Sequence, residues 1–99
     1  MRHSWKLMKG NEIVGVLTET DVNMPFVNCE FISYPSYSLY EAKFAEELSL
    51  LNSDQMNEWE RVYSEINALG FTLVSNNSKP ESITEFILHI DGNQAWFSY

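Results

Sequence analysis

Residues 84–99 constrain the fold more than any other part of this chain. Two alternating apolar runs flank Asp91-Gly92, and such a pair between alternating runs is the strongest short-range signal for a β-hairpin. A turn at Asp91-Gly92 or at Gly92-Asn93 leaves the same side chains on the same two faces. We therefore expect a strand pair here, which requires a fold that contains a β-sheet.

The length and composition are those of one globular domain, 1–99. Hydrophobic residues make up 44% and aromatic residues 14% of the 99 residues, which is enough for a single modest core. Cys29 is the only cysteine, so no internal disulfide can form, and this favours a reducing compartment. No apolar run has the length of a signal peptide or a membrane span, so we expect a cytoplasmic protein.

The chain is strongly acidic, because 14 acidic residues against 6 basic ones give a net charge of −8. Nucleic acids and anionic membranes attract positive surfaces, so neither is expected as a partner. A negative surface accelerates the encounter with a basic protein, which makes a basic protein the expected partner. Solubility alone is the alternative explanation of this charge.

The N-terminal third of the chain predicts three strands. Residues 3–9 and 12–18 flank Gly10-Asn11, a pair suited to a two-residue turn. Residues 26–32 form the third strand. Its core-facing side chains are Val27, Cys29 and Phe31. The predicted register of the first hairpin pairs Lys9 with Glu12, Leu7 with Val14 and Trp5 with Val16.

Two helices are predicted to follow these strands. Ser38 and Glu41 have the spacing of a capping box. Residues 52–55 offer a second helix start, and Gly70 is a natural end for that helix. Two helices joined this closely form an αα-hairpin. The apolar stripe of the first helix is Tyr40, Phe44, Leu48 and Leu51, and that of the second is Met56, Trp59, Val62, Tyr63, Ile66 and Leu69.

The remaining segments complete a mixed fold. A fourth strand at 71–75, a polar loop at 76–82 and the final hairpin give the order βββααβββ. We expect an α+β fold with a largely antiparallel sheet of about six strands and a helical hairpin packed on one face. The sequence leaves the order of the strands in the sheet open.

One face of the final hairpin mixes polar residues with a tryptophan. This open face carries Glu85, Ile87, His89, Gln94, Trp96 and Ser98. Aromatic side chains dominate the energetics of interfaces, so Trp96, with Ile87 and His89, is a candidate for binding a partner. Packing of Trp96 against Ile87 or a neighbouring strand is the alternative.

The helical segment 39–69 is a second candidate surface, with seven acids against two bases. Lys43 with Glu47, and Arg61 with Glu58 or Glu65, have helical pairing distances. The other acids make the outer helical surface negative, either as a docking surface for a basic protein or as a solvated face. The candidate docking residues are Glu46, Glu47, Glu58 and Glu60.

No recognisable motif for catalysis or metal binding is present. His89 and Asp91 can share a strand face, but no third metal ligand is indicated. Cys29 and His89 fall on opposite predicted faces, which separates a nucleophile from its base. No glycine-rich phosphate loop occurs. We therefore expect a non-enzymatic protein that needs no cofactor and no metal.

A small-molecule or enzymatic site is the alternative function. It would occupy a cleft near Tyr34–Tyr40, lined by Tyr34, Tyr37 and Tyr40. The competing interpretation of these rings is a loop pinned over the core.

Two segments resemble the ends of small, uncharacterised bacterial proteins. They are Phe86-Ile-Leu-His-Ile-Asp-Gly-Asn-Gln-Ala-Trp-Phe97 and Asp21-Val-Asn-Met-Pro-Phe26. This resemblance implies no activity. In general character the chain is also similar to bacterial immunity proteins, which are small, acidic and cytosolic and neutralise toxins that are often basic nucleases. The similarity implies an inhibitor of a basic toxin. A homodimer through an exposed first or last strand is a further expectation.

Overall fold

The structure is a computed structural model that describes residues 3–76 and 81–99. The elements along the chain are β1 (Ser4–Lys9), β2 (Glu12–Asn23), β3 (Phe26–Ser33), a 3₁₀ helix (Pro35–Leu39), α1 (Glu41–Asn52), α2 (Met56–Ala68), β4 (Phe71–Ser75), β5 (Ser82–Ile83), β6 (Ile87–Asp91) and β7 (Gln94–Ser98). Within the described residues the strands form one antiparallel sheet in the order β5-β4-β1-β2-β3-β7-β6. The expected α+β fold is confirmed.

The described part of the sheet has one strand more than the six that the sequence predicts. The additional strand is β5, which begins at Ser82, the last residue of the predicted polar loop 76–82, and pairs with β4 through Leu73 and Ile83. Residues 77–80 of that loop lie outside the described residues. A two-residue strand contains no alternation, so periodicity does not reveal it.

The sheet curls around its inner face, which we define as the face that carries the core. Trp5 of β1 and Phe97 of β7 have ring centroids 5.1 Å apart. β2 and β3 lie between them, and a flat sheet would hold β1 and β7 roughly 14 Å apart at the usual strand spacing. The two helices pack against this inner face, where Phe44 and Val62 are fully buried.

A β-bulge corrects the predicted register of the first hairpin. Lys9 pairs with Glu12 as predicted, but the register shifts between Leu7 and Met8. Leu7 therefore lies opposite Gly15, not Val14. A Cβ at Gly15 would approach the Phe31 ring to 2.5 Å, so the inner face has space only for glycine at this position.

The two helices form the expected hairpin, but the predicted capping box is wrong. Ser38 lies in the 3₁₀ helix, where its hydroxyl donates to the carbonyl oxygen of Pro35 at 3.0 Å. The residue at the N-cap of α1 is Tyr40, whose side chain makes no capping hydrogen bond. The 3₁₀ helix begins at Pro35, and the Ser38 hydroxyl bonds to a carbonyl oxygen within it. It therefore does not cap the first turn of α1.

A side chain of α2 binds the backbone at the outer edge of β6. The Leu88 amide donates to the Tyr63 hydroxyl oxygen at 2.9 Å, and that hydroxyl donates to the Phe86 carbonyl oxygen at 3.3 Å. The first and last strands, β1 and β7, each have a neighbour on both sides. Neither is an edge strand, so the expectation that an exposed first or last strand forms the dimer contact is wrong. Homodimerisation itself stays a prediction.

Candidate functional site

The outer face, opposite the core, carries two rows of polar side chains that cross four strands. In the first row Asp21 pairs with Asn28, Asn28 with Trp96, and Trp96 with His89. In the second row Thr18 pairs with Glu30, Glu30 with Gln94, and Gln94 with Asp91. Paired residues on one face of a sheet are near neighbours, so these rows bring side chains from distant parts of the chain together.

A groove of about 430 Å³ lies between these rows, and we call it the outer-face groove. A bulge in β2 at Thr20 helps to shape it, because the register shifts between Glu19 and Asp21. The Thr20 hydroxyl donates to the carbonyl oxygen of Asn28 at 3.2 Å. The lining side chains that carry its chemistry are Thr20, Asp21, Asn28, Glu30, Gln94 and Trp96.

Trp96 forms one side of the groove and is half-buried. Its ring centroid lies 5.5 Å from that of His89, the residue opposite it in the sheet. Ile87 is 41% exposed and pairs with Ser98 one row away. The predicted open face is therefore accessible at Trp96 and Ile87, and the ring that supports Trp96 is the imidazole of His89.

His89 and Glu47 are not surface residues, which corrects the sequence-based assignment of both. Glu47 is 0% exposed and His89 is 4% exposed. The Glu47 carboxylate lies 2.9 Å from His89 Nδ1 and accepts a hydrogen bond from Trp59 Nε1 at 2.6 Å. We call Glu47, Trp59 and His89 the buried cluster. With its proton on Nδ1, the imidazole donates to Glu47, and the carboxylate has two internal donors.

The position of the buried cluster follows from the geometry of the sheet edge. β6 is the last strand on its side of the sheet, and α1 packs beside it. Glu47 can therefore reach His89 although that side chain points away from the core. The sequence did contain a signal for Glu47, since it lies three residues after Phe44 and four before Leu51, within the apolar stripe of α1.

The remaining predicted acids do lie on the helical surface, where ion pairs offset part of their charge. Glu46 lies 3.8 Å from Lys43, and Glu58 lies 3.1 Å from Arg61. Glu60 is exposed. The exposed acids of the sequence prediction are thus Glu46, Glu58 and Glu60.

One of the predicted helical pairs is wrong. Lys43 does not pair with Glu47 but reaches across the helical hairpin to Glu65 at 2.7 Å. Arg61 contacts both Glu58 and Glu65, as predicted. The hydrogen bond from Lys43 lowers the pKa of Glu65, and the hydrogen bond to Glu58 raises the pKa of Arg61. These ion pairs link the surfaces of α1 and α2.

Cys29 has the environment of a core residue. It is 3% exposed on the inner face, and burial, followed by the charge of Glu19, raises the pKa of its thiol to about 12. A thiol with this pKa is a poor nucleophile near neutral pH. Among the described residues, no three histidine, cysteine or acidic side chains are grouped so that they could hold a metal ion.

The tyrosines of the predicted cleft contact the core. The Tyr37 ring packs edge-on against Phe31 at 5.0 Å, and the Tyr40 ring packs edge-on against Phe71 at 5.2 Å. Tyr34 is 39% exposed. The rings of Tyr37 and Tyr40 thus pin the 3₁₀ segment over the core, as in the competing interpretation of this segment.

Comparisons with protein-family models, with curated proteins and with solved structures found no match to this chain. Across the described residues, neither helix combines the length and the apolar character needed to cross a membrane. The fold and site together define an α+β protein whose curled antiparallel sheet carries helices on its inner face and an acidic groove on its outer face.

Proposed function

We propose that this chain is a small acidic protein-interaction module, without catalytic activity, that binds a basic protein. The observation that carries the proposal is the outer-face groove, which is lined by the exposed acids Asp21 and Glu30 together with the half-buried Trp96. Exposed acids around an aromatic anchor are the arrangement expected of a surface that recognises a basic partner.

The net charge of −8 supports the same function. Complementary charge accelerates the encounter of two proteins, and an aromatic anchor then slows their dissociation. The exposed helical acids Glu46, Glu58 and Glu60 would add to the attraction without having to touch the partner. In this proposal they act at long range, and the groove makes the specific contact.

The class of partner that we propose is a basic toxin, such as a nuclease, which the module would inhibit as bacterial immunity proteins do. Acidity, small size and the expected cytoplasmic location agree with such a role. This part of the proposal rests on likeness of character, since many folds serve this function.

Capture from an extract of the cells that produce the protein tests the proposal. The tagged protein is incubated with the extract at low salt, and bound protein is eluted with salt. The expected result is one stoichiometric basic protein whose affinity falls between about 0.1 M and about 1 M salt, because the Debye length falls from about 10 Å to about 3 Å.

The matched control is the combined variant Glu46→Gln, Glu58→Gln and Glu60→Gln. We expect it to slow association with the purified partner while leaving dissociation nearly unchanged, as long-range attraction requires. Trp96→Ala should instead accelerate dissociation. A tight complex whose affinity does not respond to salt would contradict the proposed function.

A further inference from the structure

We propose that the outer-face groove is a receptor for a single arginine side chain of the basic partner, with Asp21 and Glu30 binding the guanidinium and Trp96 stacking against it. This inference rests on the proposed function, because it assumes that the partner is basic. It adds which residue type the partner inserts and where that residue sits.

The charge of the groove is suited to one cation. Two of its nine lining residues, Asp21 and Glu30, are acidic, and none is basic. Both are exposed and lie on neighbouring strands, in adjacent rows of the outer face. Adjacent rows are about 6.6 Å apart along a strand, so a guanidinium placed between them can contact both carboxylates.

The aromatic side of the groove favours arginine over lysine. Trp96 lies next to Asn28 in the first row, and its ring is available from the groove. A planar guanidinium can stack on an indole and still donate to carboxylates in its own plane. A lysine ammonium is a point charge that cannot do both equally well.

The other polar residues of the groove can accept hydrogen bonds from guanidinium N–H groups that do not contact Asp21 or Glu30. The Thr20 hydroxyl already donates to the Asn28 carbonyl oxygen, so its oxygen remains an acceptor for a ligand. Asn28 and Gln94, whose side chains each carry an amide carbonyl that can accept a hydrogen bond, also line the groove. A guanidinium carries five donors, and this lining can accept several of them.

The buried cluster positions Trp96 for this contact. The Trp96 ring lies against His89, and Glu47 holds His89 from α1 with a hydrogen bond of 2.9 Å. Both residues are buried and need not touch the partner. We assign them as positioning residues for the aromatic side of the groove.

A titration followed by NMR tests the proposal. The probe is a capped Gly-Arg-Gly peptide, and the matched control peptide replaces arginine with citrulline, which has nearly the same shape but no charge. The indole N–H of Trp96 and the side-chain amides of Asn28 and Gln94 report binding. We expect saturable shifts with the arginine peptide and about tenfold weaker binding of the citrulline peptide.

Two double variants remove equal charge from different surfaces. Asp21→Asn with Glu30→Gln should weaken binding of the arginine peptide about tenfold. Glu12→Gln with Glu81→Gln, at exposed positions that do not line the groove, should leave it nearly unchanged. Equal binding of both peptides, equal loss in both variants, or shifts that map outside the groove would overturn the inference.

The capture experiment separates the failure of this inference from failure of the proposed function. If the variant Asp21→Asn with Glu30→Gln still captures the basic partner with wild-type affinity, the groove is not the arginine receptor and the module function stands. If the wild-type protein binds no basic protein in a salt-dependent way, the proposed function itself fails.

Discussion

The buried cluster and the outer-face groove are neighbours with similar residue types and opposite exposure. Each contains carboxylate and indole groups, and the contact between His89 and Trp96 joins them. In the cluster, Glu47 is fully buried and accepts hydrogen bonds within the chain. In the groove, Asp21 and Glu30 face solvent. The comparison shows that residue type alone does not distinguish an acid that stabilises the fold from an acid that is available to a partner. The position of the acid on its strand or helix determines whether its carboxylate is buried or exposed.

The largest expected effect is on the stability of the buried cluster. Glu47→Ala leaves the His89 and Trp59 donors without their acceptor, and we expect the free energy of unfolding to fall by about 3–5 kcal/mol. Urea unfolding measures this. The control is Glu46→Ala at the adjacent, exposed position, where a change within about 0.5 kcal/mol is expected. Equal losses of unfolding free energy in Glu47→Ala and Glu46→Ala would contradict the distinction between a buried, stabilising acid and an exposed one.

A milder change at the same position tests whether the cluster also acts on the groove. Glu47→Gln keeps one acceptor oxygen, so we expect a loss of about 1–3 kcal/mol of stability. If His89 positions Trp96, this variant should also weaken binding of the arginine peptide and shift the Trp96 indole resonance. If folded Glu47→Gln binds the arginine peptide with wild-type affinity, the buried cluster stabilises the fold but does not position Trp96.

The stability of the protein at alkaline pH tests the burial of Cys29 on the inner face of the sheet. The pKa of the Cys29 thiol is raised from 9.0 to about 12 by burial and by Glu19, so the folded state keeps a proton that the unfolded state loses. Stability from this group is complete below pH 9 and is lost between pH 9 and about pH 12. Tyr37, whose pKa burial raises to about 12, acts in the same direction.

Urea unfolding at several pH values between 8 and 11 measures this loss. In Cys29→Ala the decline with pH should be shallower than in the wild-type protein, because the contribution of the thiol is removed while that of Tyr37 remains. Identical declines in the two proteins would contradict the assignment of the alkaline effect to Cys29.

The smallest expected effect on stability is at the groove itself. Asp21→Asn with Glu30→Gln changes exposed side chains, and we expect the free energy of unfolding to change by no more than about 0.5 kcal/mol. Thermal unfolding followed by circular dichroism is the measurement. A loss as large as that of Glu47→Ala would show that the groove acids are needed for folding.

The sequence predicts the faces of the sheet well but not the neighbours of each strand. Period-two alternation correctly separates Asn28 and Glu30 from Cys29, and Gln94 and Trp96 from Phe97. The groove forms because β3 pairs with β7, more than sixty residues later in the chain. No local sequence pattern encodes the pairing of β3 with β7, so the groove that these strands form together could not be predicted.

The wrong predictions have local physical causes. The charge of Glu47 predicts a surface position, but its helical position lies within the apolar stripe of α1. His89 points to the outer face as predicted, but it is not exposed. Because β6 is an edge strand, Glu47 of α1 can contact His89 past the edge of the sheet. The bulge of the first hairpin lies beside Gly15, where the Phe31 ring of another strand leaves no space for a Cβ. A hairpin sequence alone does not contain that contact.

The dissociation constant of the purified partner, measured against salt concentration, tests the central claim most directly. The wild-type protein is compared with the variant Asp21→Asn and Glu30→Gln. We predict a weaker complex and a shallower salt dependence for the variant, because fewer charge contacts remain to be screened. Coinciding salt curves for the two proteins would contradict the claim that the outer-face groove binds the basic partner.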